Sequence, residues 1–359
     1  MQRFNVNYAM GIFTVYIFSW IRCSILWTNS RKNPHKSSEI ASVLFICGLL
    51  TTAFGLLFRN FWIVLIGYGA LNGIAQGIAY LTPVKTLMLW FKDNKGLASA
   101  VSIVSFGLGS TLCTWLINIM SSSTSLDIMF IYLAGIYGLM MFIGSMLIFK
   151  PFAKTAIETK NEFSYVKDVF CDRMFWQSWL FMFINISAGL ALISCSANIF
   201  KAIDMQQNMI VLFMLLAGIF NGSFRLIFAW ISDFLKIRID VWMFISLISI
   251  ICMIAAGISY AYVGIVILAI NSTYGGGFST LPSILADYYN ANNLSRLHGA
   301  VLSAWAFAGL VGNNIASIVY SLFGNYYVLI FVLLAMYLMN ILNVYYARKT
   351  ILKRKSENE

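Results

Sequence analysis

The sequence predicts an all-α, multi-span membrane protein, and three observations predict it. Of 359 residues 60% are hydrophobic and 10% charged, with a mean hydropathy of +0.81, which leaves too little polar surface to wet a soluble protein. The apolar residues run in long uncharged stretches, each near the roughly 20 residues a helix needs to cross a bilayer. Prolines number only four, as fits spans whose backbone groups must pair internally in hydrocarbon.

Division at the charge clusters gives eleven apolar segments. In the first half these are 9–28, closed by Arg31 and Lys32; 39–58, closed by Arg59; the long 61–90; 97–119; and 127–149. The polar stretch 150–173 then separates residues 1–149, a half of about five spans, from 174–346, a half of six. Its spans are expected at 174–198, 207–231, 240–259, 262–285, 299–322 and 326–345, followed by a basic tail over 347–359.

Lysine and arginine set the orientation. With the first segment running inward, eighteen of the 24 basic residues fall in inner loops, the linker or the tail, and only Arg59 and Lys201 lie in outer inter-helix loops. The positive-inside rule is then satisfied, with a cytoplasmic C-terminus, and the net charge of +11 is topological rather than a nucleic-acid footprint. An odd number of spans suggests a helix missing at the front. The six cysteines show no paired spacing and read as small apolar core residues.

The halves echo one another. Asn72, Gly77 and Pro83 in NGIAQGIAYLTP match Asn271, Gly276 and Pro282 in NSTYGGGFSTLP at an offset of 199, and Gly96 and Gly109 match Gly299 and Gly312 at 203. Internal repeats are a mark of secondary transporters, which place their solute near the bilayer midplane.

Residues 69–110, 221–238 and 274–312, with the blocks W-F-x-x-x-K-G-L-A and N-G-x-x-R-x-x-x-x-x-x-S-D, resemble the major facilitator superfamily, in its oxalate/formate antiporter-like branch. The resemblance implies two pseudo-symmetric six-helix halves rocking about a central cavity. In that alignment 9–28 resembles the second helix, leaving the first of twelve unaccounted for. Residues 30–36 (SRKNPHK) fall on a loop that usually reads G-x-x-x-D-R-x-G-R-R, and its second copy keeps Ser232, Asp233 and Lys236 as a conformational motif.

Arg225 is the leading candidate for chemistry. An intramembrane arginine costs about 2.5 to 3.5 kcal/mol on insertion scales, so it is expected to face the interior or a cavity. Asn221 lies one turn earlier, and the resemblance implies that this arginine binds substrate carboxylate. The alternative is that Arg225 snorkels to the headgroups or pairs with Asp233. Snorkelling is the simpler account of Lys85 and Arg22. Asn72, Gln76 and Tyr80 at i, i+4, i+8 form a polar stripe that either lines a cavity or bonds neighbouring helices. Tyr274 and Trp305 are candidates for the opposite wall, with Ser279, Thr280 and Asn313 alongside. The oxalate carrier's second ligand, a lysine, corresponds to Ala306, which argues against oxalate itself.

No Asp or Glu lies deep in a span, which favours exchange or facilitated movement over proton symport. His35 and His298 are expected in inner loops, so no metal site is expected. GYGALNG at 67–73 lies in a span rather than after a strand, and no hydrolase motif occurs, so neither an enzyme nor a cofactor is expected. The reading is a secondary transporter of a small mono- or dicarboxylate in a plasma or bacterial inner membrane, with the bilayer and the solute as its partners. The alternatives are a carrier of a neutral or zwitterionic solute, and a non-transporting sensor or degenerate paralogue.

Overall fold

The computed structural model describes residues 33–91, 95–121, 123–149, 170–259, 262–289 and 294–358. The expected span at 9–28, with Arg22, and all but the last few residues of the 150–173 linker lie outside them.

All the regular elements among these residues are helices: α1 Pro34–Leu57, α2 Phe61–Trp90, α3 Lys95–Met120, α4 Leu126–Met146, α5 Arg173–Ala202, α6 Gln207–Phe234, α7 Asp240–Ile258, α8 Val263–Tyr289, α9 Leu294–Val301, α10 Ser303–Phe323 and α11 Tyr327–Asn358. Within the described residues nine spans are long and apolar enough to cross a membrane, α9 and α10 contributing jointly through Leu297–Phe323. The chain is an integral, multi-pass membrane protein.

Helix α8 is not among the nine, although a span was expected there. Its run Asn271–Ser279 carries hydroxyls, a carboxamide and three glycines, yet every residue from Ile270 to Ala286 is buried. A helix enclosed by protein needs no apolar coat, so hydropathy understates it.

Elements extend past the apolar windows because helical hydrogen bonding continues where hydrophobicity stops. Helix α1 begins at Pro34, the first helical position, where the absent N–H costs nothing. His35 therefore sits in its first turn and not in a loop, with Nδ1 2.7 Å from the Ser145 carbonyl oxygen and Nε2 3.2 Å from Glu39. His298 is likewise helical, on α9, and only 2% exposed. Both corrections have one cause: polar residues at a span end were read as loop. Helix α10 stops at Gly324, whose φ of 67° is the left-handed C-terminal geometry glycine favours.

The described residues form two compact units. The first draws on Met1–Ser102, Leu112–Lys150 and Ser295–Ala300; the second on Ile103–Thr111, Pro151–Leu294 and Val301–Glu359. Residues 103–111 thus group with the second unit and 295–300 with the first.

In the first unit α1 packs on α2 and α4. A Cβ on Gly48 would collide with the Asn72 side chain, so glycine is what lets α1 and α2 approach so closely. Leu49, Met129, Leu133 and Ala134 form the core beneath. Residues 65–71 of α2 are π-helical, a wider winding found mostly as short insertions in α-helices.

In the second unit α8 packs on α6, α5 and α7, and α5 on α10 and α11. Phe181 stacks on Trp242 at 4.0 Å between ring centroids, and the Trp242 indole donates to Thr280 Oγ1 at 3.0 Å. Two of its ion-pair sites lie where α7 begins or α6 and α8 end. Arg238, in the α6–α7 turn, bridges Asp233 at 2.7 Å and Asp287 at 2.8 Å. Arg348 meets Asp240 at 2.6 Å, which ties the basic tail, helical through Asn358, to the start of α7.

Candidate functional site

Arg225 lies in the middle stretch of α6 and is 5% exposed. One turn earlier Asn221 presents Oδ1, which accepts from Arg225 Nε at 3.0 Å and Nη2 at 2.9 Å. Nη1 donates to the Ile103 carbonyl oxygen on α3 at 3.1 Å. The guanidinium carbon stands 5.4 Å from the centroid of Phe278 on α8. Asp233, offered by the sequence as a partner for Arg225, pairs instead with Arg238.

Neutral dipoles and an aromatic face thus hold the cation. Oriented carbonyl and carboxamide oxygens offset desolvation, and a ring face attracts a cation by its quadrupole. The packing depends on Gly275, where a Cβ would collide with the Asn221 carbonyl oxygen and crowd Arg225 Cγ. On the other side of α6, Gly222 meets Gly107 with no room for a Cβ, which brings the α3 backbone alongside.

Tyr274, 7% exposed, lies within electrostatic reach of Arg225 and hydrogen-bonding reach of Trp305. Phe278 sits between the candidates, 5.2 Å from the Tyr274 ring and 5.4 Å from Trp305, the latter edge-on. Arg225, Asn221, Tyr274 and Trp305, named from sequence on three helices, are therefore one cluster. The fold adds Phe278, Gly275 and the Ile103 carbonyl. Phe278 was legible in principle, being four residues after Tyr274 and so on the same helical face; a backbone carbonyl on α3 has no sequence signal.

Ala306, on α10, is 3% exposed. Among the described residues no group of three His, Cys, Asp or Glu is placed to hold a metal ion.

The α2 stripe belongs to the first unit. Asn72 is 1% exposed with its carboxamide against Gly48, at the crossing with α1. Gln76 is half-buried. Tyr80 is 3% exposed and faces His298, the ring centroids 5.9 Å apart. Of the loop motif, Ser232 is buried and donates to the Ala229 carbonyl oxygen at 2.7 Å, Asp233 joins the Arg238 bridge, and Lys236 is exposed. Arg238, the hub of that bridge, was counted in the sequence only as an inner-loop charge.

Comparison with known proteins decides the family: residues 40–313 match the sequence profile of the Major Facilitator Superfamily. The chain belongs to this superfamily. Among relatives in the superfamily, the uncharacterized MFS-type transporter YhjX of Escherichia coli (strain K12) is 25% identical over 249 residues, 67% of this chain. The oxalate:formate antiporter of Oxalobacter formigenes is 23% identical over 262 residues, 71% of this chain. Each match spans 62% of the relative's own length. Among solved structures, the E. coli fucose:proton symporter FucP superposes with a TM-score of 0.66 at 12% identity, over 95% of this chain and 90% of that one. The proton:xylose symporter XylE gives 0.67 at 15%, over 94% and 84%. A bacterial ferroportin homologue in an outward-facing state gives 0.65 at 14%, over 95% and 88%. At these identities the structures establish the major facilitator fold.

Proposed function

We propose that this transporter carries a small organic anion, a mono- or dicarboxylate, across the membrane by alternating access, as an exchanger or facilitator. The observation that carries the reading is the buried guanidinium of Arg225, held by Asn221 Oδ1 and the Ile103 carbonyl beside Phe278. A guanidinium is a planar fork that matches the two oxygens of a carboxylate, and it stays charged at any physiological pH. Asn221 and Ile103 fix its plane before a solute arrives, which lowers the ordering cost of binding.

Tyr274 and Trp305 supply a hydroxyl and an aromatic wall to the same cluster. Dipoles and the Phe278 ring stabilise the cation when the solute leaves, so binding is reversible, as conduction through a carrier demands. One cation in this cluster among the described residues, with alanine at 306, favours a lightly charged carboxylate over tight capture of a dianion. Similarity to the oxalate:formate antiporter supports the anion class. The basic inner loops support a cytoplasmic C-terminus, by default in a plasma or bacterial inner membrane.

The test is counterflow in proteoliposomes: vesicles are loaded with one unlabelled carboxylate at a time, and entry of labelled formate, oxalate, lactate and succinate is followed beside a labelled neutral sugar. Exchange confined to carboxylates supports the proposal. Exchange of the sugar with no carboxylate exchange would overturn it.

A further inference from the structure

We propose that Tyr80, Lys85 and His298, all in the first unit, form a second carboxylate-binding station. It rests on the anion reading above and adds another stop for the same solute.

His298 carries the inference. Its ring is 2% exposed, and Nε2 is buried with no hydrogen-bond partner. An orphaned buried nitrogen is costly, so such groups in folded proteins normally meet a ligand or a partner. The environment indicates which ligand. The Tyr80 ring lies 5.9 Å from the imidazole, and the Lys85 ammonium is near enough for its charge to act on the ring. All three residues lie in one compact unit.

An ammonium and a phenol O–H are donors, His298 Nε2 donates in the tautomer that carries its proton there, and the ammonium brings a positive charge. A small anion with two acceptor oxygens is the chemistry that satisfies such a set, through charge-assisted bonds stronger than neutral ones. His35 provides the contrast: its ring nitrogens lie against the Ser145 carbonyl and Glu39, so it has local acceptors of its own. Lys85 stands five residues before Trp90, the last residue of α2, and the next segment carries Lys92 and Lys95. A station there would meet the anion in the last turns of α2.

The test is calorimetric titration of the purified full chain in nanodiscs with formate and with oxalate, for wild type, Arg225→Gln, Arg225→Gln/Lys85→Gln and Arg225→Gln/His298→Gln, each first shown to elute and melt as the wild type does. The station predicts that Arg225→Gln retains one class of carboxylate binding. Adding Lys85→Gln or His298→Gln then weakens that binding about tenfold or more, and Lys85→Arg in the same background restores it. Wild-type binding that Arg225→Gln abolishes outright would remove the station and leave the proposed function standing. Residual binding indifferent to both second substitutions would also overturn the station. A wild type that binds neither anion, nor lactate or succinate in the same titration, would remove station and function together.

Discussion

Arg225 and Asn221 stand one helical turn apart on α6, and a single atom, Asn221 Oδ1, accepts from both Nε and Nη2 of the guanidinium, at 3.0 and 2.9 Å. The carboxamide orients the cation without neutralising it, since an amide oxygen is a dipole and not a charge. In the proposed reading, that orientation presents the fork to a carboxylate.

Asn221→Asp is therefore expected to be nearly isosteric and functionally severe. The new carboxylate occupies Arg225 permanently, and carboxylate exchange falls by about tenfold or more while the melting temperature holds or rises. Concentration-dependent counterflow with a thermal melt of the same preparation checks both halves. Asn221→Asp with undiminished exchange would show that Arg225 does not meet the solute.

Gly275 gives a packing prediction. Gly275→Val puts a branched Cβ against the Asn221 carbonyl oxygen and Arg225 Cγ, and overpacking of this kind costs about 1–3 kcal/mol. Gly109→Ala is the control, since nothing lies within 4 Å of a Cβ there and alanine is the better helix former by about 1 kcal/mol. Differential scanning fluorimetry in detergent should show a clear loss of stability for the first and none for the second.

Arg238 joins the ends of α6 and α8 through Asp233 and Asp287. Its side chain is 27% exposed, so solvent screens the pair, and Arg238→Ala is expected to cost about 1 kcal/mol or less of stability. Arg238→Lys should recover only part of that loss, because an ammonium lacks the fork that reaches two carboxylates from different nitrogens. Equal melts for alanine and lysine variants would show that bidentate geometry contributes nothing here.

Within α11, Arg348 meets Asp240 at 2.6 Å. Arg348→Asp places two carboxylates together and should lower the melting temperature, and the double exchange Arg348→Asp/Asp240→Arg should restore it. A melt of the double variant no better than the single one would count against this contact as the tie between tail and helix.

Much of this was legible in the sequence. Hydropathy and charge located the nine apolar spans among the described residues, and the cost of an intramembrane arginine singles out Arg225. Helix periodicity placed Asn221 beside it. What escaped has common physical causes. Span ends were cut at the first polar residue, which hid the helical settings of His35 and His298. The burial of α8 is a tertiary property that runs against its modest hydropathy. Asn72 matched its repeat partner Asn271 in sequence, yet it sits against Gly48 while Asn271 Nδ2 donates to the Ile267 carbonyl at 2.8 Å, because a repeat preserves position more readily than surroundings. Contacts such as Ile103 with Arg225 join residues 122 positions apart, a separation that local patterns do not register.

The most direct test of the central claim is carboxylate counterflow in proteoliposomes containing wild type, Arg225→Lys or Arg225→Gln, with the amount of reconstituted protein and its melting temperature matched. Charge recognition by a fork predicts loss of exchange in Arg225→Gln and partial retention with a raised half-saturation concentration in Arg225→Lys. Exchange in Arg225→Gln at the wild-type rate and half-saturation concentration would contradict the claim.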